Sequence, residues 1–439
     1  MTYDGKDPYG DWTSELRKLS LLMPEMADQF RDIGDLTVRE YISRSVNHQA
    51  TQTPCQLSRE LLGSFLRQVA AGRLPNQDGN ALVARWLNSP IIHTGSHSQL
   101  ILEPACMAAA VIADMAASET SADCLVHYTC STITLESKRR TGPGWLTNGS
   151  GLYKLANVPN HKMGKISVCA HQGELILPRQ ALWPLEIAQS EVDMRPFGRA
   201  MLTVNERIWH SLNSFQRRRY LAFDEWDLAD LLADHCENPL SPLAMVLFED
   251  RRRAALDEEW NASRSKRSGI FLPKDWNVWC LGGGKIGRTA ISDGKLIDVD
   301  RKTTLAYWCP EEIARLLRMR IILPSLFLIY CAIAILPEIL VTGGGFMMGY
   351  VPLFRRILSN VLRMHRYETK ITEVREGKVA FFFRLLRDQQ IERKLWSQQA
   401  SGTMLEELAE YYSNTPLMEA TRAFEGIREN AKWKLMMGD

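Results

Sequence analysis

The sequence predicts an α/β protein with a parallel-sheet core, a helical amino-terminal cap, a helical insertion and a helical carboxy-terminal region. Three observations carry this. A short apolar run, a polar loop and a small-residue helix opening on proline follow one another over residues 90–117, which is how a mononucleotide-type α/β unit begins. A second, almost wholly apolar run over 321–341 holds Pro324, Pro337 and Glu338, so it reads as a buried helix feeding a buried strand rather than as a membrane span. The 439 residues are 45% hydrophobic and 24% charged. That is apolar surface enough to order most of a chain too long for one compact core.

Taken in order, residues 1–88 form the cap. Apolar residues spaced at three and four predict helices over 12–30, 38–45 and 58–70, and Asn80 is placed to cap a helix over 81–87. The first half of the core spans 89–200: strand 90–93, loop 94–103, helix 104–117, then strands over 123–128, 165–170 and 173–177, interrupted by the turn-rich stretch 141–151. A charged helical pattern over 201–262 with a polar exit at 263–269 predicts a helical insertion, 201–268. The second half of the core, 269–380, opens with a hairpin of 276–281 and 285–291 around Gly282-Gly283-Gly284. It continues through 311–341, with the strand at 338–341, to a helix over 351–364. Residues 381–439 read as helix to Met437, broken near Ser401-Gly402 and Asn414-Thr415-Pro416.

Lys and Arg number 53 against 51 Asp and Glu, a net charge of +2. Such a balance supplies no global field for nucleic acid or an anionic membrane, so basic runs such as Arg217-Arg218-Arg219 read as solvated faces. Nine cysteines without a CxxC pair suit a reducing cytoplasm, and no Cys/His cluster has the spacing of a structural zinc site. A cytoplasmic protein without a metal is the expectation. Oligomeric state is left open.

The segment richest in chemistry is the loop after the first strand, His93-Thr94-Gly95-Ser96-His97-Ser98. A glycine in that turn lets a ligand approach the backbone, and the polar side chains suit an anion or a proton transfer. Here His97, with His161 from a later segment, is the candidate acid or base. Thr94, Gly95, Ser96, Ser98 and Asn160 are candidate binding residues. The Gly343-Gly344-Gly345 turn, after a strand and before a helix, is a candidate backbone-amide anion site, with Tyr350 nearby. Gly282-Gly283-Gly284-Lys285 reads as a turn, because Ile286-Gly287 replaces the hydroxyl residue of a phosphate loop. Cys106 and Cys130 read as core residues rather than nucleophiles.

These segments resemble, in order and approximate spacing from about Ile91 to Leu358, the cysteine-adding enzymes of bacillithiol biosynthesis. Thr94-Gly95-Ser96-His97 and Glu103-Pro104 stand where that family has a TGQQ-type loop and a GP step. Pro159-Asn160-His161-Lys162 stands at its EDHD-type segment. Glu311-Glu312-Ile313, Ile335-Leu336-Pro337 and Gly343-Gly344-Gly345-Phe346 stand at its EEL-type helix start, LP ending and GGPGE-type turn. The resemblance implies a Rossmann-like core of nucleotidyltransferase type. It also implies a ligase- or transferase-like biosynthetic activity joining an amino acid or thiol, cysteine-like, to a carbonyl-bearing or activated acceptor, with no required cofactor. Family acids are replaced by Pro159, Asn160 and Lys162, the acid of the glycine turn is lost, since Phe346 and Met347 follow the glycines, and an Arg and a Gln fall on Leu328 and Ala332.

Two alternatives follow. One is a non-catalytic binding or partner protein on the same fold, motivated by those replacements. The other is an adenylating or aminoacyl-tRNA-using enzyme, in which His93 to His97 approximates an HxGH motif and Lys162-Met163-Gly164-Lys165 a KMSKS loop, with a nucleotide as cosubstrate and tRNA as partner.

Overall fold

A computed structural model of the chain describes residues 36–49, 55–74, 78–88, 90–94, 98–119, 122–137, 140–148, 151–178, 193–212, 218–343, 347–363, 380–382 and 404–416. The helix expected over 12–30 lies outside them. The cap helices are α1 (Val38–Gln49), α2 (Gln56–Arg73) and α3 (Gly79–Trp86). The α2 helix turns Leu62, Phe65, Leu66, Val69 and Ala70 inward, the stripe its spacing dictates. At α3 the cap is Asp78, whose carboxylate accepts from the amides of Asn80 and Ala81. Asn80 therefore sits inside the first turn, because the charged oxygen two residues earlier both bonds the free amides and complements the helix dipole.

Strand β1 (Ile91–His93), helix α4 (Pro104–Glu119) and strand β2 (Cys124–Tyr128) follow as the sequence predicts. The next stretch differs. Residues 145–154, part of them read as turns, form the antiparallel hairpin β3 (Trp145–Asn148) and β4 (Gly151–Lys154). The strands expected over 165–170 and 173–177 are instead a 3-10 turn, Val168–Ala170, and irregular chain bridged once from Leu175 to Ala156. All three residues of that turn are buried, and a short wholly buried run carries no period to separate strand from turn. Before it, Asn160–Met163 makes the single helical turn α5.

Helix α6 (Phe197–Leu212) leads to β5 (Arg219–Phe223), then α7 (Glu225–Glu237), α8 (Pro242–Phe248) and α9 (Asp250–Arg264). Strand β5 corrects the expectation of a purely helical insertion over 201–268. It pairs in parallel with β2 from Cys124↔Arg219 to Tyr128↔Phe223, its four apolar residues having been hidden between an arginine run and a charged helix. The hairpin of β6 (Trp279–Gly282) and β7 (Lys285–Ser292) turns at Gly283 and Gly284, with φ of 62° and 75°. Positive φ at both centres is what a tight two-residue hairpin turn requires. Strands β8 (Lys295–Asp298), β9 (Thr303–Tyr307) and, beyond helix α10 (Pro310–Arg318), β10 (Ile322–Leu323) complete an antiparallel sheet of order β10-β6-β7-β8-β9.

The apolar run behaves as predicted. Helix α11 (Leu326–Tyr330) passes into a π-helical turn, Cys331–Ile335, and then into β11 (Leu340–Gly343), and every residue from Phe327 to Gly343 is buried. Among the described residues no helix is long and apolar enough to cross a membrane. Helix α12 (Met347–Arg363) starts four residues earlier than expected, β12 (Ala380–Phe382) is strand where helix was expected from Phe381, and α13 (Met404–Asn414) ends at the expected break.

The main sheet has the order β12-β11-β1-β2-β5, and all four pairings are parallel. Counted along the chain from the β5 edge, that is 3-2-1-4-5. Ile91, Leu125, Tyr220 and Leu340 point to one face, against α4 and α6. Ile92, Val126, Leu221 and Val341 point to the other, against α2, α7, α11 and α12. The molecule is thus a mixed α/β protein whose parallel strands are covered on both faces, as near-continuous apolar strands require.

Candidate functional site

Neighbouring strands β1 and β11 send their chains to opposite faces, β1 into α4 and β11 into α12. Their carboxyl ends therefore mark the point where the strand order reverses, the crevice position at which such sheets bind ligands. Thr94 and Gly343 line it. The Thr94 amide donates to Thr342 O at 2.6 Å and its hydroxyl to the same oxygen at 3.0 Å, with Met347 Sδ 2.8 Å from that hydroxyl. A side chain at Gly343 would collide with Met347 Sδ and Thr94 Oγ1, so only glycine admits this approach of backbone to neighbour. Tyr330, in α11, reaches Tyr350 of α12 with hydroxyls 3.2 Å apart and also bonds Thr94. Burial pushes the Tyr330 phenol up to about 12 and the Tyr350 phenol well above its ordinary range.

The other wall is built by the polar run after β2. Fully buried Glu225, in the first turn of α7, accepts from the Tyr128 hydroxyl at 2.9 Å, the Ser131 amide at 2.6 Å, the Ser131 hydroxyl at 2.8 Å and the Thr132 hydroxyl at 2.9 Å. Its helix is anchored beside it by Asp224, which caps the amides of Trp226 and Asp227 in a reciprocal box. With their protons committed to the carboxylate, the hydroxyls of Tyr128, Ser131 and Thr132 have only lone pairs left to offer. Thr132 is half-buried. The Cys130 thiol, 3.5 Å from Thr132 Oγ1, is held protonated well above its ordinary range by burial and then by Glu225. The described wall is therefore a set of hydrogen-bond acceptors backed by one buried negative charge, which suits an N–H donor such as an ammonium group.

Of the residues the sequence singled out, Thr94, Gly343 and Tyr350 come together here. Ser98 ties the loop to the end of β2, its amide donating to Thr129 Oγ1 at 2.7 Å and its hydroxyl to Cys130 O at 2.9 Å. Asn160 and His161 are exposed on α5, and no hydrogen bond among the described residues links them to the crevice. Gly95, Ser96, His97, Gly344 and Gly345 lie outside the described residues. Of the groups suggested for nucleotide chemistry, His93 is buried in the sheet, while Lys162 and Lys165 are exposed. Glu225, Tyr128, Thr132 and Tyr330 were missed. The polar run at 129–132 after a strand was a usable signal; Glu225 was obscured with β5, and Tyr330 lay inside an apolar run read as core. Among the described residues no group of three or more His, Cys, Asp or Glu side chains is arranged to hold a metal ion. Compared with models of protein families and with curated proteins, the chain matches none.

Proposed function

We propose that the protein is a small-molecule biosynthetic enzyme with a Rossmann-like core of nucleotidyltransferase type, joining an amino acid or thiol to a carbonyl-bearing or activated acceptor in the cytoplasm. The 3-2-1-4-5 strand order supports the core. The observation that carries the substrate class is Glu225 with its committed hydroxyls, a wall that offers acceptors and negative potential to a substrate ammonium. In this reading the Gly95 and Gly344 amides hold the substrate carboxylate, and His97 takes the proton released when the amine or thiol adds to the acceptor's carbonyl carbon, the π-electron pair passing to the carbonyl oxygen, which the same imidazolium then protonates. The test is equilibrium binding of cysteine, serine and the other amino acids, and of glutathione, to the whole chain. One of them saturates the wild type, and Thr132→Val weakens it about tenfold, worth ~1.4 kcal/mol. Absence of saturable binding, or binding indifferent to Thr132→Val, overturns the reading.

One observation favours a second reading, a binding protein without turnover. Burial holds Cys130, Tyr330 and Tyr350 protonated, so these described groups offer no base at neutral pH. A saturable amino acid with no product across a panel of aldehyde, ketone and thioester acceptors selects it, and turnover abolished by His97→Ala excludes it.

A further inference from the structure

On the α4 face of the same crevice, His93 ends β1 and stands in register with Thr342 of β11. Both side chains share the face of Ile91 and Leu340, 1% and 3% exposed. Among the described residues, His93 Nε2 and Thr342 Oγ1 have no hydrogen-bond partner, while Thr342 O is engaged by Thr94. We propose that these two atoms form a second polar subsite, in which His93 Nε2 accepts from, and the Thr342 hydroxyl donates to, one uncharged carboxamide or hydroxyl group of the ligand. The inference rests on the crevice being the ligand site and adds the kind of group it takes at its floor.

The neighbouring imidazole is what lets Nε2 act as an acceptor. His93 Nδ1 lies 2.7 Å from His127 Nδ1, and two neutral imidazoles that meet through these nitrogens share one proton between them. When His93 donates it, Nε2 is left with a lone pair and becomes an acceptor. His127, packed on Tyr220 with ring centroids 5.3 Å apart, is thus a positioning residue. Burial holds both imidazoles far below their ordinary pKa, His93 at about 3, so neither supplies positive charge at neutral pH. A carboxylate or phosphate placed there would be buried without a counter-charge, whereas a carboxamide offers one donor and one acceptor, and a hydroxyl offers both from a single oxygen.

The test uses the whole chain with 15N-labelled imidazoles at pH 7, titrated separately with acetamide, methanol and acetate. Among nine histidines, the His93 Nε2 signal is assigned by its loss in His93→Gln, or from its partner's signal in His127→Gln if the first variant does not fold. Acetamide or methanol moves that signal saturably, acetate does not, and Thr342→Val weakens the effect at least fivefold while Thr342→Ser retains it. A larger response to acetate, no response to any probe, or indifference to Thr342→Val overturns the subsite. Cysteine binding that persists when acetamide and methanol leave His93 unmoved ends this inference and spares the proposed activity; the reverse result ends the activity and spares the subsite.

Discussion

Glu225 is the residue on which the crevice wall depends, because three hydroxyl protons and one amide proton converge on its two oxygens. Glu225→Gln removes the charge and turns one acceptor into a donor facing other donors, so we predict a loss of about 2–3 kcal/mol in urea denaturation at pH 7. A loss under about 0.5 kcal/mol would show that the network relaxes freely. Buried histidines weaken the fold on its acid side. His93 titrates in the folded protein at about 3 and fully buried His235 at about 4, both lowered by burial from 6.5. Between those values and 6.5 the unfolded chain binds protons that these two folded residues do not. Their contribution is therefore intact above pH 6.5 and falls as the pH drops towards 4, by about 1.4 kcal/mol per pH unit per histidine, while Glu206 and Asp224, raised by burial to about 7 and about 6, oppose it over part of that window. We predict that His235→Gln loses less stability than the wild type between pH 6.5 and 4.5; equal losses in urea midpoint would contradict this. At this scale the sequence singled out Thr94, Gly343 and Tyr350, which the fold brings together, since a glycine turn beyond a strand announces a close approach. It concealed Glu225, whose partners lie 93 to 97 positions before it, and Tyr330, which meets Tyr350 and, from much earlier in the sequence, Thr94.

Among the elements, the run from α11 to β11 is the most legible and the most consequential. Prolines near its ends, Ser325 capping its helix through the Leu328 amide, and complete burial of Leu328 and Ile335 make it a core segment. Leu328→Asp places an unpaired charge there, and we predict a loss of about 3–5 kcal/mol or failure to fold, read by circular dichroism and thermal unfolding. Near-wild-type stability would mean that the segment is not core. Glu338, expected near the start of the strand, lies two residues before β11 with φ of 51°, paired with buried Arg355 on α12. Strand β5 and the β3–β4 hairpin escaped the sequence for physical reasons. A four-residue apolar strand beside an arginine run has too few turns of either period to be told from helix, and a glycine-rich stretch marks a hairpin's loop as readily as open coil.

For the whole molecule, the reversal of strand order at β1 and β11 places the crevice, and the two faces give it unlike walls: Glu225 with its hydroxyls on one side, neutral His93 and Thr342 on the other. The alternation of strand and helix was visible in the sequence, but the antiparallel sheet around β6 to β9 was visible only as its first hairpin, because short amphipathic strands need their partners to declare a face. With every residue of the 321–341 segment at least half-buried in this fold, we predict recovery of the whole chain from lysate without detergent. Recovery only with membranes would contradict the packing described.

The account turns on whether a ligand enters between the carboxyl ends of β1 and β11, and Met347 reports on that place, its sulfur lying against Thr94. With methionine methyls labelled by 13C, and the Met347 signal among seventeen assigned by its loss in Met347→Leu, the whole chain is titrated with cysteine and the other amino acids. The account predicts one amino acid that shifts the Met347 methyl saturably, with an effect reduced by Thr132→Val. Saturable binding that leaves Met347 unmoved and shifts a distant methyl such as Met245 would contradict it.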